Sequence, residues 1–329
     1  MYCRVRCLLM LLLAAGLCST VWAAKPKEIA DPDEAKADPD FSIQGEYLGQ
    51  RELSGGGSEK AGAQVIALGG GKFDIVVYKG GLPGEGWKKG DPRERFQAER
   101  KDNETAVLAG TKPVGKIAAP AMTIASEGGK LELKAVERKS PTLGIKPPEG
   151  AVVLFDGTTA DKWEKGRLSK GNNLEAETAT KDKFGSYTLH IELRLSYMPD
   201  ARGQGRSNSG VYIHSCYEIQ VLDSFGLEGL NNECGGFYSI KAPDVNMCLP
   251  PLVWQTYDVE FTAPKYENGT KVANARITVR HNGVVIHENV ELPKDTPGRQ
   301  KEGPAPRSIY LQGHGNKVQY RNVWLVERK

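Results

Sequence analysis

Hydrophobic and polar residues alternate along several stretches of the chain, which is the pattern of β-strands with one buried face. In the clearest stretch, Tyr217, Ile219 and Val221 alternate with Glu218 and Gln220. One face of this strand is therefore apolar, and the other presents a carboxylate and an amide about 7 Å apart, two residues of strand rise. A Glu/Gln pair on the polar face predicts the floor of a polar cleft.

Further strand-like segments alternate with Gly-rich turns on both sides of a Pro/Gly-rich connector at residues 140–150. They predict a small β-domain over 41–139 and a larger one over 151–329, in which Asn282-Gly283 marks a hairpin. No segment predicts an amphipathic helix beyond one or two turns. The sequence therefore predicts an all-β fold, with two packed antiparallel sheets in a jelly-roll sandwich preceded by a small β-domain.

The N-terminus predicts export. Two arginines precede an apolar run over 7–21 that ends in small residues, so we expect a signal peptide over 1–23, cut after Ala23. A membrane anchor is the alternative, but the run is shorter than the roughly 20 residues that a span needs. Residues 24–40 are rich in Lys, Asp, Ala and Pro and predict a disordered leader. We expect a periplasmic or extracellular protein without stable membrane insertion.

Charge and cysteine content narrow the function further. The chain has 44 basic and 41 acidic residues, and loss of the two signal arginines leaves 42 against 41, a balance that does not favour nucleic acid as a partner. Outside the signal the cysteines are Cys216, Cys234 and Cys248. Export favours a disulfide, and we expect Cys234–Cys248 because it would restrain the loop between them. Cys216 would then be a free thiol on the polar strand face. A metal site of Cys216 with His214 is the alternative, although the spacing matches no standard ligand pattern.

Six segments of the second domain resemble the 3-keto-disaccharide hydrolase family, also described as 3-keto-glucoside 1,2-lyase and 3-keto-2-hydroxy-glucal hydratase. They follow the family's order over about residues 150–329 and lie at 154–157, 208–212, 217–223, 254–257, 282–284, and 311–315 with 320–323. The resemblance implies a concanavalin-A-like jelly roll whose concave sheet holds the site. The chain departs from the family pattern at Ser207, where Gly is common, and at residues 214–216.

The resemblance also implies a substrate and a reaction. The substrates would be glycosides oxidised to a ketone at C3 of the sugar, which acidifies the hydrogen at C2. A base removes that hydrogen, the aglycone leaves from C1, and water adds across the resulting double bond. This chemistry needs a base, an acid for the leaving oxygen, and a donor or cation that holds the enolate.

Glu218 is the candidate base, and His314, which lies between two glycines, is the candidate acid or electrophile. Gln220 would hydrogen-bond a sugar hydroxyl or the ketone, with an amide that braces two strands as its alternative. The expected substrate contacts are Asn208, Ser209, His214, Tyr238, Gln312 and Arg202. The alternative is a turn or packing role for Asn208, Ser209 and Tyr238, a hairpin turn at His214, and solvation of its loop by Arg202. A divalent cation held by His and carboxylate groups stays open.

The sequence therefore predicts an exported, glycosidase-like hydrolase or lyase that cleaves 3-keto-disaccharides or other 3-keto-glycosides, with an oxidised sugar as its partner. The main alternative is a non-catalytic carbohydrate-binding or cell-surface adhesion module on the same fold.

Overall fold

The computed structural model describes residues 26–328, so the predicted signal peptide lies outside the described residues. Within them the chain forms a β-barrel followed by two larger sheets and one two-stranded sheet, and it contains one single-turn helix and one short 3-10 turn. The all-β prediction is therefore confirmed. No helix among residues 26–328 is long and apolar enough to cross a membrane.

The first unit is a closed antiparallel barrel in the order β1-β10-β9-β8-β7-β6-β3-β2, with the short pair β4 and β5 outside it. Apolar residues that alternate along these strands, such as Val65, Ile75 and Leu131, fill its interior. The strands are β1 (Gly45–Leu53), β2 (Ser58–Gly69), β3 (Lys72–Lys79), β4 (Leu82–Pro83), β5 (Gly86–Trp87), β6 (Arg93–Lys101), β7 (Glu104–Ala109), β8 (Lys112–Ala118), β9 (Ala121–Ser126) and β10 (Gly129–Val136).

The segment before the barrel is ordered where the structure describes it, which corrects the prediction of a disordered leader over 24–40. Ile29 forms a β-bridge with Tyr197, with N···O distances of 3.0 and 2.7 Å. Residues Pro32–Ala35 form the one-turn helix α1, whose N-terminus is capped by Asp31. The composition of this segment did not predict its order, because Ile29 packs against hydrophobic residues from distant parts of the chain rather than within its own segment.

The second unit is a sandwich of a large sheet, β11-β23-β14-β17-β20-β21 with β12 beside β23, and a small sheet, β13-β22-β15-β16. Leu189 and Ile191 of the large sheet share one core with Ile219 and Val221 of the small sheet, which confirms the predicted jelly-roll sandwich. The strands are β11 (Val152–Phe155), β12 (Leu174–Glu175), β13 (Thr178–Ala179), β14 (Ser186–Arg194), β15 (Asn208–Ile213), β16 (Tyr217–Leu222), β17 (Trp254–Thr262), β18 (Lys265–Glu267), β19 (Thr270–Ala273), β20 (Ala275–His281), β21 (Val284–Leu292), β22 (Tyr310–Leu311) and β23 (Gln319–Arg328).

The barrel and the sandwich are packed against each other. Ile66, Tyr78 and Trp87 of the barrel belong to the same hydrophobic cluster as the sandwich core. The predicted hairpin between β20 and β21 is present, and Asn282 and Gly283 both take positive φ, 51° and 79°.

The connector over residues 140–150 lies on the outer face of the large sheet. Thr142 Oγ1 donates a hydrogen bond to Asp258 Oδ2 at 2.7 Å. The backbone N–H of Gly144 donates to Glu192 Oε1 at 2.6 Å. The connector is thus a fixed part of the sheet surface.

Titratable groups lie beneath the connector, and two of them, His190 and Glu192, are buried. His190 Nδ1 lies 2.6 Å from Asp258 Oδ1, and Arg321 Nε donates to Glu192 Oε2 at 2.6 Å. Burial alone would raise the pKa of Glu192, but hydrogen bonds from His190, Asn322 and other donors lower it to about 2. Glu192 is therefore a carboxylate whose charge depends on this set of donors.

Candidate active site

The outer face of the small sheet carries the polar side chains that the alternation predicted. Strands β15 and β16 are antiparallel, with Tyr212 opposite Glu218 and Gly210 opposite Gln220. Glu218 is 4 % exposed and Gln220 is 2 % exposed. Other chain segments therefore cover both side chains, and their place at the floor of a polar cleft stays a prediction.

Glu218 is enclosed by its neighbours. Its Oε2 accepts a hydrogen bond from the Tyr212 hydroxyl at 3.0 Å, and its backbone N–H donates to Thr296 Oγ1 at 2.9 Å. A Cβ at Gly210 would overlap Glu218 Oε1, so a glycine is needed there. Burial raises the pKa of Glu218 to about 7, although the hydrogen bond from Tyr212 lowers it. The group can thus gain or lose a proton near neutral pH.

Three amide side chains form a cluster beside Glu218. Gln204 Oε1 accepts hydrogen bonds from Asn208 Nδ2 at 3.2 Å and from Gln220 Nε2 at 3.1 Å. This orientation leaves Asn208 Oδ1 and Gln220 Oε1 buried and without a partner in the part of the chain that the structure describes. Unpartnered buried acceptors are costly, so both oxygens are suited to receive hydroxyl donors from a ligand. Sequence reasoning missed Gln204, which lies in a loop without a recognisable pattern.

Aromatic and basic side chains continue the same face. The Gln312 backbone N–H donates to Gly210 O at 2.8 Å, and its Nε2 lies 3.4 Å from the Tyr212 hydroxyl. The Tyr310 ring lies 5.8 Å from that of Tyr212, and the Arg299 guanidinium carbon lies 3.8 Å from the centre of the Tyr310 ring. Tyr212 could have been found from the sequence, because it shares the period-two face of Asn208 and Gly210.

His314 lies in an exposed loop that runs beside β15. Gln312 at the start of this loop bonds Gly210, and Asn316 Oδ1 further along accepts from the Asn208 backbone N–H at 2.9 Å. The imidazole itself forms no hydrogen bond with any residue between 26 and 328. The loop is therefore next to the Glu218 face, and the convergence of the two side chains stays a prediction.

Ser209 does not lie at this face, which corrects its prediction as a substrate contact, whereas substrate contact by Arg202 stays a prediction. Ser209 points to the core side, where its hydroxyl donates to Gln312 O at 2.6 Å. Arg202 donates to Leu68 O at 2.8 Å and so holds its loop to the barrel. Both residues support the structure around the site.

His214 and Cys216 lie in the turn before β16, and this turn breaks the strand phase that would have put them beside Glu218. His214 takes a φ of 55°, and its Nε2 lies 2.9 Å from Phe184 O. Burial lowers the pKa of His214 to about 4. Cys216 is buried in the sandwich core, so neither the predicted polar position of Cys216 nor the role of His214 in substrate binding holds.

Tyr238 is half-buried and follows a segment that runs along the outer edge of β16. In that segment, the Gly235 N–H donates to Gln220 O and the Gln220 N–H donates to Gly236 O, both at 2.9 Å. Tyr238 therefore lies near one rim of the small sheet, and its contact with substrate stays a prediction.

Cys234 and Cys248 are free, buried thiols in the structure, so the predicted disulfide is not formed there. Cys234 Sγ lies 3.2 Å from the Tyr257 hydroxyl, and Cys248 Sγ lies 3.6 Å from Leu222 O. Formation of the disulfide under oxidising conditions stays a prediction.

Oxygen ligands predominate at the site. Among residues 26–328, no group of three or more His, Cys, Asp and Glu side chains is arranged to hold a metal ion. The Glu218 carboxylate and the free amide oxygens of Asn208 and Gln220 are ligands of the type that hard cations prefer. A divalent cation stays a prediction.

Comparison with known proteins decides the family. Residues 150–326 match the model of the 3-keto-alpha-glucoside-1,2-lyase-like domain. The chain belongs to this family. The resemblance drawn from the six sequence segments is thereby confirmed, and the protein is a glycoside-acting enzyme of the hydrolase or lyase type.

Two solved structures are similar to the chain. One, from Parabacteroides distasonis and described as a candidate glycosyl hydrolase, is 28 % identical, with a TM-score of 0.51 over 56 % of this chain and 86 % of its own. A second from the same organism, with the same description, is 16 % identical, with a TM-score of 0.41 over 58 % of this chain and all of its own. No curated protein matches the sequence.

Proposed function

We propose that the protein cleaves glycosides that carry a ketone at C3 of the sugar, with Glu218 as the base that takes the proton from C2. The observation that carries this proposal is the Glu218 carboxyl itself: it is buried, its pKa is raised to about 7, and it lies beside amide oxygens that lack partners. Membership of the 3-keto-alpha-glucoside-1,2-lyase-like family supports the choice of substrate.

The reaction balances without an external oxidant or reductant. Glu218 removes the C2 proton, the electron pair of that bond forms the C1–C2 double bond, and the C1–O bond to the aglycone breaks. His314 gives a proton to the leaving oxygen, and water then adds across the double bond, which gives net hydrolysis. Tyr212 orients the Glu218 carboxyl through its hydrogen bond.

The amide cluster has a separate task in this proposal. Gln220 and Asn208 accept hydrogen bonds from sugar hydroxyls through their free carbonyl oxygens, and Gln204 fixes the orientation of both amides. Gln312 contacts the Tyr212 hydroxyl and can donate to the ketone oxygen, whose charge grows as the proton leaves.

The test is incubation of the full chain with 3-keto-trehalose or 3-keto-sucrose, and with the unoxidised sugars as controls. Released sugar from the 3-keto substrates alone, and its loss in Glu218→Gln with the fold retained, is the expected result. Substrate deuterated at C2 should be cleaved more slowly. Turnover of Glu218→Gln at the wild-type rate would remove Glu218 from the reaction.

Binding of these sugars without release would instead identify a carbohydrate-binding module. A metal requirement is tested in the same assay, where a chelator should abolish turnover and added metal should restore it if a cation holds the enolate.

Export is part of the proposal. The apolar run over 7–21 supports a signal peptide cut after Ala23. N-terminal sequencing of the protein recovered outside the cytoplasm should begin at Ala24, and an intact N-terminus would contradict this.

A further inference from the structure

A cavity of about 770 Å³ opens at one end of the outer face of the large sheet, and Glu218 does not line it. Its floor comes from the sheet, where the strand register places Arg194 between Trp254 on β17 and Gln319 on β23. Arg321 lies beside them, and residues of the α1 segment, the β12 segment and the 313–318 loop form the walls. The volume is within the range of about 300–1,000 Å³ that is typical of small-molecule sites.

Two guanidinium groups share the floor. The guanidinium carbon of Arg194 lies 4.7 Å from the Trp254 ring centre, and that of Arg321 lies 4.1 Å from it. Neighbouring like charges repel each other, and an anion bound at Arg194 would relieve the repulsion. Because Trp254 is already covered by cations, the chemistry that this floor offers is that of the guanidinium groups.

The two arginines differ in their partners. Arg321 Nε donates to the buried Glu192 carboxylate at 2.6 Å, so its charge is neutralised within the fold. Arg194 donates to the neutral Gln319 amide and has no carboxylate within ion-pair distance in the described part of the chain. Its Nε is buried and lacks a hydrogen-bond partner there. Arg194 is thus the cation on the floor of this cavity that lacks a counter-charge in the described part of the chain.

The acidic side chains of the cavity walls are engaged elsewhere or exposed. Glu175 and Glu177 face Arg167, with N···O distances of 3.2 and 3.5 Å. Asp31 accepts from the Asp33 N–H as the cap of α1. Burial and then the charge of Arg321 lower the pKa of Arg194, while Asp31 raises it. The protein alone therefore does not compensate the positive charge of Arg194.

We propose that this cavity binds the oxyanion of an acidic saccharide, a carboxylate or a sulfate ester, with Arg194 as its principal contact. A planar guanidinium with a free Nε–H suits paired oxygens of this kind. The sugar body would lie toward Gly313 and Gly315, the two residues that flank His314. The proposal does not depend on Glu218 acting as a base, since it concerns binding at a different face.

The experiment is calorimetric titration of the full chain at constant ionic strength with glucuronate, glucose 6-sulfate, inorganic sulfate and glucose. Binding of glucuronate or glucose 6-sulfate at least tenfold tighter than glucose is expected, and the stronger of the two identifies the natural oxyanion. Arg194→Gln should weaken that binding at least tenfold, and Arg194→Lys should restore part of it. Arg280→Gln is the matched control, because Arg280 is on the same sheet, pairs with Glu260 and does not line the cavity.

Equal affinity for glucose and the acidic sugars would overturn the proposal, as would an Arg194→Gln variant that binds them like wild type. Absence of binding at millimolar concentrations would overturn it as well. Thermal melts of each variant separate a lost contact from a lost fold. None of these outcomes depends on turnover of a 3-keto-glycoside, so failure here and failure of the proposed function can be told apart.

Discussion

Replacement of Glu218 by Gln is expected to stabilise the protein at alkaline pH while it removes activity. Burial raises the pKa of the wild-type carboxyl from 4.5 to about 7. Above that pH the folded protein must keep a charge in a poorly solvated position. An amide of nearly the same shape removes this cost and can still accept the hydrogen bond from Tyr212.

The magnitude follows from proton linkage. A rise from 4.5 to about 7, at about 1.36 kcal/mol per pKa unit, corresponds to about 3 kcal/mol. Because the folded pKa is the higher one, the folded state binds more protons between these values, and wild-type stability falls as the pH rises through this window. The Gln variant lacks this titration. The free energy of unfolding of the variant relative to wild type should therefore increase by about 2–3 kcal/mol between about pH 5 and pH 8.

The assay is urea unfolding followed by tryptophan fluorescence at these two pH values. Glu302→Gln is the control, because hydrogen bonds from Tyr217 and Lys271 lower the pKa of Glu302 despite its burial. A lowered folded pKa adds stability that is present above the unfolded pKa and is lost only at lower pH. The control should thus be destabilised similarly at both values. A Glu218→Gln difference that does not change with pH would refute the reasoning.

Four other outcomes are expected. The kcat/KM of the wild type should rise as the pH increases through about 7, because Glu218 loses its proton there. Gly210→Ala should lower kcat at least tenfold, because its Cβ would overlap the Glu218 carboxylate; an unchanged kcat would contradict this. Gln204→Leu should raise KM about tenfold with a smaller effect on kcat, because Gln204 orients the two amides. For deoxy-sugar substrates, which lack a hydroxyl that these amides bind, the same substitution should change KM less. Protein isolated from an oxidising compartment and then unfolded should titrate as one free thiol, since Cys234 and Cys248 are buried in the same core and are predicted to pair; three would exclude the disulfide.

The fold could be predicted because its main signal is local. Alternation at a period of two placed Ile219 and Val221 in the core and Glu218 and Gln220 on the other face, and the structure agrees. The Asn282-Gly283 dipeptide likewise predicted its hairpin turn from the backbone preferences of these two residues alone.

The site was harder to predict because its parts come from distant segments. Gln204 orients the amide of Gln220 from a loop, and Thr296 covers the backbone of Glu218 from a segment far along the chain. Contacts of this kind cannot be predicted from the periodicity of the sequence. The phase error at His214 has a different cause, because consecutive left-handed residues at 214 and 215 reverse the chain just before β16.

The connector that lies on the large sheet has a practical consequence for anyone who trims this protein to its catalytic module. The family match begins at residue 150, yet Gly144 supplies a peptide N–H to the Glu192 carboxylate and Thr142 bonds Asp258. A fragment that begins at the family boundary would lack both of these donors. It would also expose the Glu192 and Asp258 carboxyl groups to water. A truncated protein therefore has to begin before Ser140. The barrel that precedes it is better regarded as structural support for the sandwich than as a removable domain.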